Sequence, residues 1–215
     1  PKAAAPFELE GYWIAVVNED WMFRMVTPPA GEYLGVPLNR AGRTLADRWN
    51  PAADETAGEQ CRSYGAPAIM RVPGRLQISW ADDTTLNMQI EAGEQNRAFH
   101  FDADTAITEP SRQGTSIARW ELAGGRERHG NLRVETTTLL PGYLRKNGVP
   151  YSGDARLTEF YTVYSVPDGD TWMVVTTKVD DSRYLNQSFI TSSHFKKLSN
   201  NDGRRYWKPD SCTSF

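Results

Sequence analysis

Cysteine and histidine are scarce in this sequence, and neither sign of charge is in surplus. Its 215 residues hold two Cys and three His, and 24 Lys and Arg stand against 27 Asp and Glu, for a formal net charge of −3. A chain without a basic surplus is not expected to bind nucleic acid. No apolar run approaches the length of about 18 residues that a membrane-spanning helix needs, so no membrane span is expected.

Sequence motifs of common catalytic and cofactor sites are also missing. The chain has no Gly-x-Ser-x-Gly, no phosphate-binding loop, no His-Glu-x-x-His and no Gly-x-Gly-x-x-Gly. The two thiols have no metal-like spacing to a histidine. We therefore expect no cofactor and no metal. The sequence leaves open whether the protein is an enzyme and what its oligomeric state is.

What the chain does have is a globular composition that is rich in aromatic residues. Apolar residues make up 39% and charged residues 24%, which excludes a disordered chain. Seven Trp, nine Tyr and eight Phe are present. Because β-barrels and β-sandwiches often exceed 200 residues as one unit, we predict a single domain over residues 1–215, with an extended segment at 1–10.

Alternation of polar residues with β-branched and aromatic residues predicts about ten strands and two short helices. Strands this regular need a closed or two-layered sheet to cover their edges. We predict an all-β fold, an antiparallel barrel of the lipocalin or calycin kind, with an open sandwich as the alternative. The predicted helices cover 39–49 and 54–63, and the predicted strands cover 11–17, 21–26, 68–72, 76–80, 85–91, 96–101, 116–122, 131–138, 156–166, 171–180 and 190–196.

The two cysteines predict a disulfide bond between Cys61 and Cys212. Both lie in polar, turn-rich surroundings, and a bond at Cys212 would tie a loose C-terminal segment to the fold. The alternative is two unrelated buried thiols. The disulfide implies an oxidising compartment, either periplasmic or extracellular. The first residue, Pro1, fits a mature terminus left by signal-peptide removal or simply a fragment boundary.

The strand at 156–166 carries the most informative polar residues. Glu159 and Tyr161 lie on the same face, about 7 Å apart along the strand. Inside a barrel, such a carboxylate and phenol can bind a hydroxylated ligand or share proton transfer. The neighbouring strand at 171–180 is apolar on both faces, so we predict that Glu159 and Tyr161 line an internal cavity. Arg97, Tyr161 or His194 is then expected within hydrogen-bond reach of Glu159. The alternative is a solvent-exposed face.

Two further charged residues are candidates for the same interior. Glu135 lies opposite the apolar face of its strand and either lines the lumen or faces water. Arg97 shares a face with Phe99 and Phe101, so it either pairs with a carboxylate such as Glu135 or Glu159 or extends to the rim. Glu135 is therefore a candidate catalytic residue and Arg97 a candidate ligand contact.

The histidines and the tyrosines outside the predicted strands complete the candidates. Hydroxyl residues at 191–193 precede His194, which makes it a candidate acid–base residue, with a hydrogen-bonded packing role as the alternative. His100 faces away from its aromatic neighbours and is a candidate ligand contact, whereas His129 is expected to be exposed. Three tyrosines are expected in loops: Tyr143, Tyr151 and Tyr184. Near a barrel mouth they would suit stacking on a ring, either a sugar or a flat apolar ligand.

Several stretches resemble a bacterial family. The stretches are GAPAIM at 65–70, GTSIARWE at 114–121, LRVETT at 132–137, LTEFY at 157–161 and TSSHFKK at 191–197. Together they resemble a largely uncharacterised family of secreted or periplasmic proteins, in which a GxSxGRWEGDTLVVETTN-like stretch precedes an LTERF strand. The resemblance covers about residues 60–212, and residues 123–131 are an insertion relative to it. It implies export and a β-fold and supplies no catalytic residues.

These observations predict an exported β-barrel that takes a small organic ligand, aromatic, apolar or sugar-like, into an internal cavity. The enzymatic version of this function is a cofactor-free lyase, isomerase or hydrolase that uses Glu159, Tyr161, Glu135 and His194 for acid–base chemistry. The alternative is a non-catalytic surface module that contacts a glycan or a protein through its tyrosines.

Overall fold

Nine strands close into a barrel in the computed structural model, which describes residues 1–102, 109–124 and 129–214. The eleven strands of the described chain are β1 (Gly11–Val16), β2 (Arg75–Trp80), β3 (Thr85–Ile90), β4 (Gln95–His100), β5 (Thr115–Ala123), β6 (His129–Thr137), β7 (Gly142–Arg145), β8 (Val149–Tyr151), β9 (Arg156–Ser165), β10 (Thr171–Asp180) and β11 (Phe189–Lys197). The order around the barrel is β1, β11, β10, β9, β6, β5, β4, β3, β2, and β7 pairs with β8 in a separate sheet. The predicted all-β barrel is confirmed.

One strand pair breaks the predicted antiparallel pattern. β4 and β5 run parallel, with Phe99 opposite Ser116 and His100 opposite Ile117. Parallel neighbours need a connection of a dozen or more residues so that the chain can return to the same end of the sheet. Residues 101–114 supply that length, whereas the other barrel pairs are antiparallel. The barrel is therefore mixed.

The helices are short. They are α1 (Trp21–Met25), α2 (Arg40–Ala46), α3 (Pro51–Thr56), α4 (Ala66–Ile69) and α5 (Asn200–Tyr206), with 3₁₀ turns at Lys2–Ala4 and Gln60–Tyr64. The helix predicted over 39–49 is present as α2, which ends earlier, at Ala46. The Asn39 side chain caps it by accepting a hydrogen bond from the Gly42 amide at 2.9 Å. Pro51 begins α3 behind the Asn50 cap.

Two predicted strands are wrong, because short apolar runs do not distinguish a strand from a helix. Residues 21–26 contain α1, whose apolar side chains Trp21, Met22 and Met25 are exposed while Arg24 is buried. Residues 68–72 overlap α4, which is buried along its whole length. The predicted long connection at 141–154 contains β7 and β8.

Hydrophobic side chains fill the barrel interior. Along β3, Leu86, Met88 and Ile90 are at most 3% exposed, and the residues between them are more accessible. This is the period-2 pattern that the sequence predicts for a strand with one buried face. The other strands contribute large inward side chains in the same way: Trp13, Ile78, Phe99, Leu132, Val175 and Phe195.

One end of the barrel is covered by a layer that we call the cap, residues 20–73 and 139–155. It contains α1 to α4 and the β7–β8 sheet. A second hydrophobic cluster joins cap side chains such as Leu144 to Leu157 and Val179 at that end of the barrel. Each fully buried side chain of this kind stabilises the contact by roughly 1.5–3 kcal/mol. Polar side chains of the cap surround the two cavities described below.

Candidate functional site

A buried ion pair lies inside the barrel, between β4 and β9. Arg97 donates from Nη1 to Glu159 Oε1 at 2.9 Å and from Nη2 to Oε2 at 2.6 Å, and neither side chain is exposed to solvent. The Tyr161 hydroxyl donates to Glu159 Oε1 at 3.1 Å. Thr136 accepts a hydrogen bond from Arg97 Nη2 at 3.4 Å. The predicted interior position of Glu159 and its pairing with Arg97 and Tyr161 are confirmed.

The electrostatics of this network are those of a closed structural pair. Burial lowers the pKa of Arg97, but Glu159 and Tyr161 outweigh burial, and the pKa is raised overall. Burial and the nearby Glu159 raise the pKa of Tyr161 well above its usual value. The guanidinium carbon lies 4.9 Å from the centre of the Phe99 ring. Glu159 is fully buried and its charge is compensated by Arg97, so the network offers a ligand no accessible acid or base. Glu159 and Tyr161 line neither of the two cavities described below.

The other predicted catalytic residues do not reach this network. Glu135 lies on the outer face of β6, where its carboxylate is 2.6 Å from Arg133 and 3.6 Å from Arg119. Its side chain is 46% exposed, so the lumenal interpretation of Glu135 is wrong. On β11, buried Ser193 flanks His194, which therefore points to the outer face of the barrel.

The described histidine side chains, those of His100 and His194, lie on the outer face of the barrel. Nδ1 of His194 lies 3.0 Å from Glu19 Oε2, outside the barrel. His100 is half-buried and alternates with inward-facing Phe99, so it also faces out. The side chain of His129 lies outside the described residues. None of the described histidines is brought to Glu159.

A second group of charged residues surrounds a cavity that we call the arginine pocket. Arg24, Arg71 and Arg145 line this cavity of about 420 Å³ between the cap and the barrel end. All three residues are at most 8% exposed. They come from α1, from the segment after α4 and from β7. Further lining residues supply apolar surface, hydroxyl groups, an ammonium group and two carboxylates: Phe23, Ser63, Tyr64, Leu144, Lys146, Glu91 and Asp210. The carboxylate of Glu91 pairs with Arg75 at 3.1 Å.

Two of these arginines have carboxylate partners. Arg24 pairs with Glu19 at 2.9 Å and donates from Nε to the Arg71 carbonyl at 2.9 Å. Arg71 pairs with Asp20 at 3.1 Å. Burial lowers the pKa of each guanidinium, and Arg71 lowers that of Arg24 further. The two acidic residues thus offset part of the positive charge.

Arg145 has no ion-pair partner among residues 1–102, 109–124 and 129–214. It donates from Nη1 to the Leu34 carbonyl at 2.7 Å and stacks on the Phe23 ring at 4.4 Å. Burial, followed by repulsion from Arg71, lowers the pKa of Arg145 to about 10. Asp20 and Glu32 raise the pKa of Arg145, so they compensate its charge in part.

Each arginine of the pocket also has a buried nitrogen that lacks a hydrogen-bond partner within the described part of the chain. The atoms are Arg24 Nη2, Arg71 Nη1 and Arg145 Nε. An unsatisfied buried donor costs about 1–3 kcal/mol, more when it is charged. These three nitrogens have almost no accessible surface, so a ligand in the cavity would meet the other parts of the guanidinium groups.

Aromatic residues line a second cavity, which we call the tyrosine pocket. It measures about 270 Å³ and contains all three tyrosines that the sequence predicts as ligand contacts. The expected loop position is wrong for Tyr143 and Tyr151, which lie in β7 and β8 and are 8% and 0% exposed. Tyr184 follows β10 and is half-buried. The cavity is also lined by Trp49, Asp54 and Arg62.

The two pockets share a wall made of β7 and the Gln60–Tyr64 turn. Tyr143 and Arg62 line the tyrosine pocket, whereas the residues that follow each of them line the arginine pocket. The predicted bond between Cys61 and Cys212 is confirmed, with the two Cα atoms 5.1 Å apart. The bond ties this wall to the C-terminal segment, whose residue Ser211 lines the arginine pocket.

Sequence reasoning missed the arginine pocket because its three arginines are distant in the chain. A weak signal was present. Arg24 interrupts the apolar run WMFRMV, and Arg71 stands between apolar Met70 and Val72. Arginine is almost never fully buried unless it is paired, so a single arginine within an apolar run indicates a buried charge that needs a partner.

Comparison of the chain with known protein families, characterised proteins and solved structures finds no match. The function is therefore inferred from the geometry of the two pockets and of the barrel interior. Within the described residues, no group of three or more His, Cys, Asp and Glu side chains is close enough to hold a metal ion. In the same part of the chain, no helix combines the length and the apolar character that crossing a membrane requires.

Proposed function

We propose that the protein is an exported β-barrel that binds a small organic anion in the arginine pocket. The observation that carries this proposal is Arg145, a buried cation with no ion-pair partner in the described residues, beside two arginines that also have unsatisfied nitrogens. Buried charges in proteins are paired or bind ions, because an isolated charge loses its hydration. A bound anion supplies the missing partner.

The walls of the pocket indicate the chemistry of this ligand. Guanidinium groups match carboxylate and phosphate groups with two parallel hydrogen bonds. Phe23, Tyr64 and Leu144 offer apolar surface next to the arginines, which favours an organic anion over an inorganic one. A volume of about 420 Å³ is typical of sites for small molecules. Lys146 adds a further positive charge at this wall.

We place the ligand at the barrel end and not in the lumen, because hydrophobic side chains and the Arg97–Glu159 pair fill the interior. Acid–base chemistry by Glu159 and Tyr161 is disfavoured for the same reason. The disulfide supports a periplasmic or extracellular location, since such bonds persist in oxidising compartments. The resemblance to secreted and periplasmic bacterial proteins points in the same direction.

Replacing Arg145 by Met is expected to weaken binding of benzoate by about tenfold or more, because a hydrogen bond to a charged group contributes about 1.5–3 kcal/mol. Isothermal titration calorimetry measures the affinity, and uncharged benzamide, of nearly the same shape, is expected to bind weakly to the native protein. In anion-free buffer the variant is expected to melt no earlier than the native protein, because an uncompensated buried charge has been removed.

The matched control is Arg183→Met, at an exposed arginine 3.6 Å from Asp154 and outside the pocket. This variant is expected to bind benzoate as the native protein does. Equal benzoate affinity in the Arg145 variant, or equal binding of benzamide and benzoate by the native protein, would contradict the proposed function.

A further inference from the structure

We propose that the tyrosine pocket is a second binding site, which takes one uncharged sugar ring. It lies on the other side of the shared wall from the arginine pocket and differs from it in charge. This proposal does not depend on the proposed anion site. It follows from the polar pair, the aromatic surfaces and the size of this cavity.

The polar pair of the pocket is neutral overall and keeps capacity for hydrogen bonds. Asp54 Oδ1 accepts a hydrogen bond from Arg62 Nη1 at 2.9 Å, and Oδ2 accepts one from the Tyr143 hydroxyl at 2.8 Å. A carboxylate can accept about four hydrogen bonds, so each oxygen has room for a further donor. Because Arg62 compensates the charge of Asp54, the pocket favours a neutral ligand with hydroxyl groups.

The raised pKa of Tyr143 keeps its hydroxyl protonated, so that it can donate to Asp54. Burial, and next the hydrogen bond to Asp54, raise the pKa of Tyr143 to about 12. The phenol therefore remains protonated and donates to the carboxylate over the physiological range. The Arg62 guanidinium carbon lies 4.7 Å from the centre of the Tyr143 ring, which holds both side chains in place.

Trp49 supplies the aromatic surface of the pocket. Its ring packs on Gly148, where a Cβ atom would lie only 2.3 Å from the indole. Gly148 also has a φ of 80°, a conformation that residues with a side chain rarely adopt. Glycine is therefore required at this position for two separate reasons. The close contact fixes the indole while it lines the cavity together with Tyr184. Amphipathic sugar rings stack on such fixed aromatic groups.

The floor of the pocket holds an unsatisfied hydroxyl group. Tyr151 is fully buried, and its hydroxyl has no hydrogen-bond partner in the described chain. The hydroxyl is enclosed between Gly65 and Gly142, where Cβ atoms would lie 2.1 and 2.6 Å from it. Burial raises the pKa of Tyr151, so the group stays a protonated phenol. Because the hydroxyl has almost no accessible surface, it offers a ligand in the cavity no hydrogen bond.

Size and charge select the ligand class. A volume of about 270 Å³ suits a single ring and not an extended chain. Hydroxyl groups of a ligand match the free acceptor sites of Asp54, and a ring face matches Trp49. A flat aromatic compound such as phenol would use Trp49 alone and leave most of the polar groups without partners, which is unfavourable.

Saturation-transfer difference NMR tests this proposal with glucose, galactose, mannose, N-acetylglucosamine and phenol as probes. We expect ring-proton signals for at least one sugar and stronger saturation transfer to it than to phenol. Trp49→Leu is expected to weaken that sugar's binding by about tenfold. Trp207→Leu is the matched control, because this half-buried tryptophan packs on Tyr12 outside the pocket, and it is expected to retain binding.

A second variant, Asp54→Asn, removes the acceptor without enlarging the cavity and is also expected to lose sugar binding. Arg145→Met should leave the sugar signal unchanged and Trp49→Leu should leave benzoate binding unchanged, so failure of one site is distinguished from failure of the other. Absence of signal for every sugar, preference for phenol, or equal loss in the Trp49 and Trp207 variants would overturn the proposal.

Discussion

Replacing Glu159 by Gln is expected to lower the free energy of unfolding by about 3–5 kcal/mol, the usual effect of removing one partner of a buried ion pair. The amide keeps the shape of the side chain but leaves the Arg97 guanidinium without a compensating charge at zero exposure. Arg97 remains protonated, because arginine keeps its proton even when it is buried. Urea denaturation followed by circular dichroism measures the change.

The control is Glu135→Gln, which makes the same chemical change on the outer face of the barrel. Glu135 is 46% exposed, so its replacement is expected to change stability by no more than about 0.5 kcal/mol.

The double variant Arg97→Met with Glu159→Leu is expected to recover most of the lost stability, because it removes both charges together. Benzoate binding is expected to survive Glu159→Gln. Loss of benzoate binding in a folded variant, or equal stability of the two glutamine variants, would show that Glu159 is not a structural partner.

Removing the disulfide with Cys61→Ser and Cys212→Ser is expected to destabilise the protein by about 5 kcal/mol. The bond joins residues separated by 151 positions, and in the chain-entropy model closing so long a loop strongly restricts the unfolded chain. The midpoint and slope of chemical denaturation give the difference. Benzoate binding is expected to weaken as well, because the bond holds the C-terminal residues Asp210 and Ser211 at the arginine pocket.

The native protein treated with a thiol reductant is the matching control for the disulfide prediction. It is expected to lose the same stability as the double serine variant without any change of side chain outside the bond. A loss of less than about 1 kcal/mol in both samples would contradict the prediction, since chain-entropy stabilisation of a loop of this size is larger.

Periodicity explains why the buried pair was predictable. Arg97 lies two residues before inward Phe99, and Glu159 two residues before inward Tyr161, so each charged residue shares the face of its aromatic neighbour. Pairing was then required, because an isolated buried charge is unstable. The disulfide was predictable because only two cysteines exist and one lies close to the chain end. The three tyrosines of the tyrosine pocket were correctly selected as candidate contacts, but they meet through β7 and β8 and not through loops.

The remaining features depend on contacts that local patterns do not encode. The apolar run at 21–26 fits a strand or a helix. The two are distinguished by the tertiary contacts of Arg24, which is buried within the cap and donates to the Arg71 carbonyl. Alternation places Glu135 opposite the apolar face of its strand, but the sequence does not tell whether that other face lines the lumen or meets water. The arginine pocket joins segments around residues 24, 71 and 145, which come together only when the cap folds onto the barrel end.

The central claim is that the protein binds an organic anion at the barrel end, in the arginine pocket. An anomalous difference map from crystals containing 4-bromobenzoate tests this most directly, because bromine marks the position of the ligand without reference to any assumed site. We expect one bromine peak among Phe23, Tyr64 and Leu144, with the carboxylate within about 3.2 Å of the Arg145 guanidinium group. A peak beside Glu159 inside the barrel, or no peak in the arginine pocket, would contradict the claim.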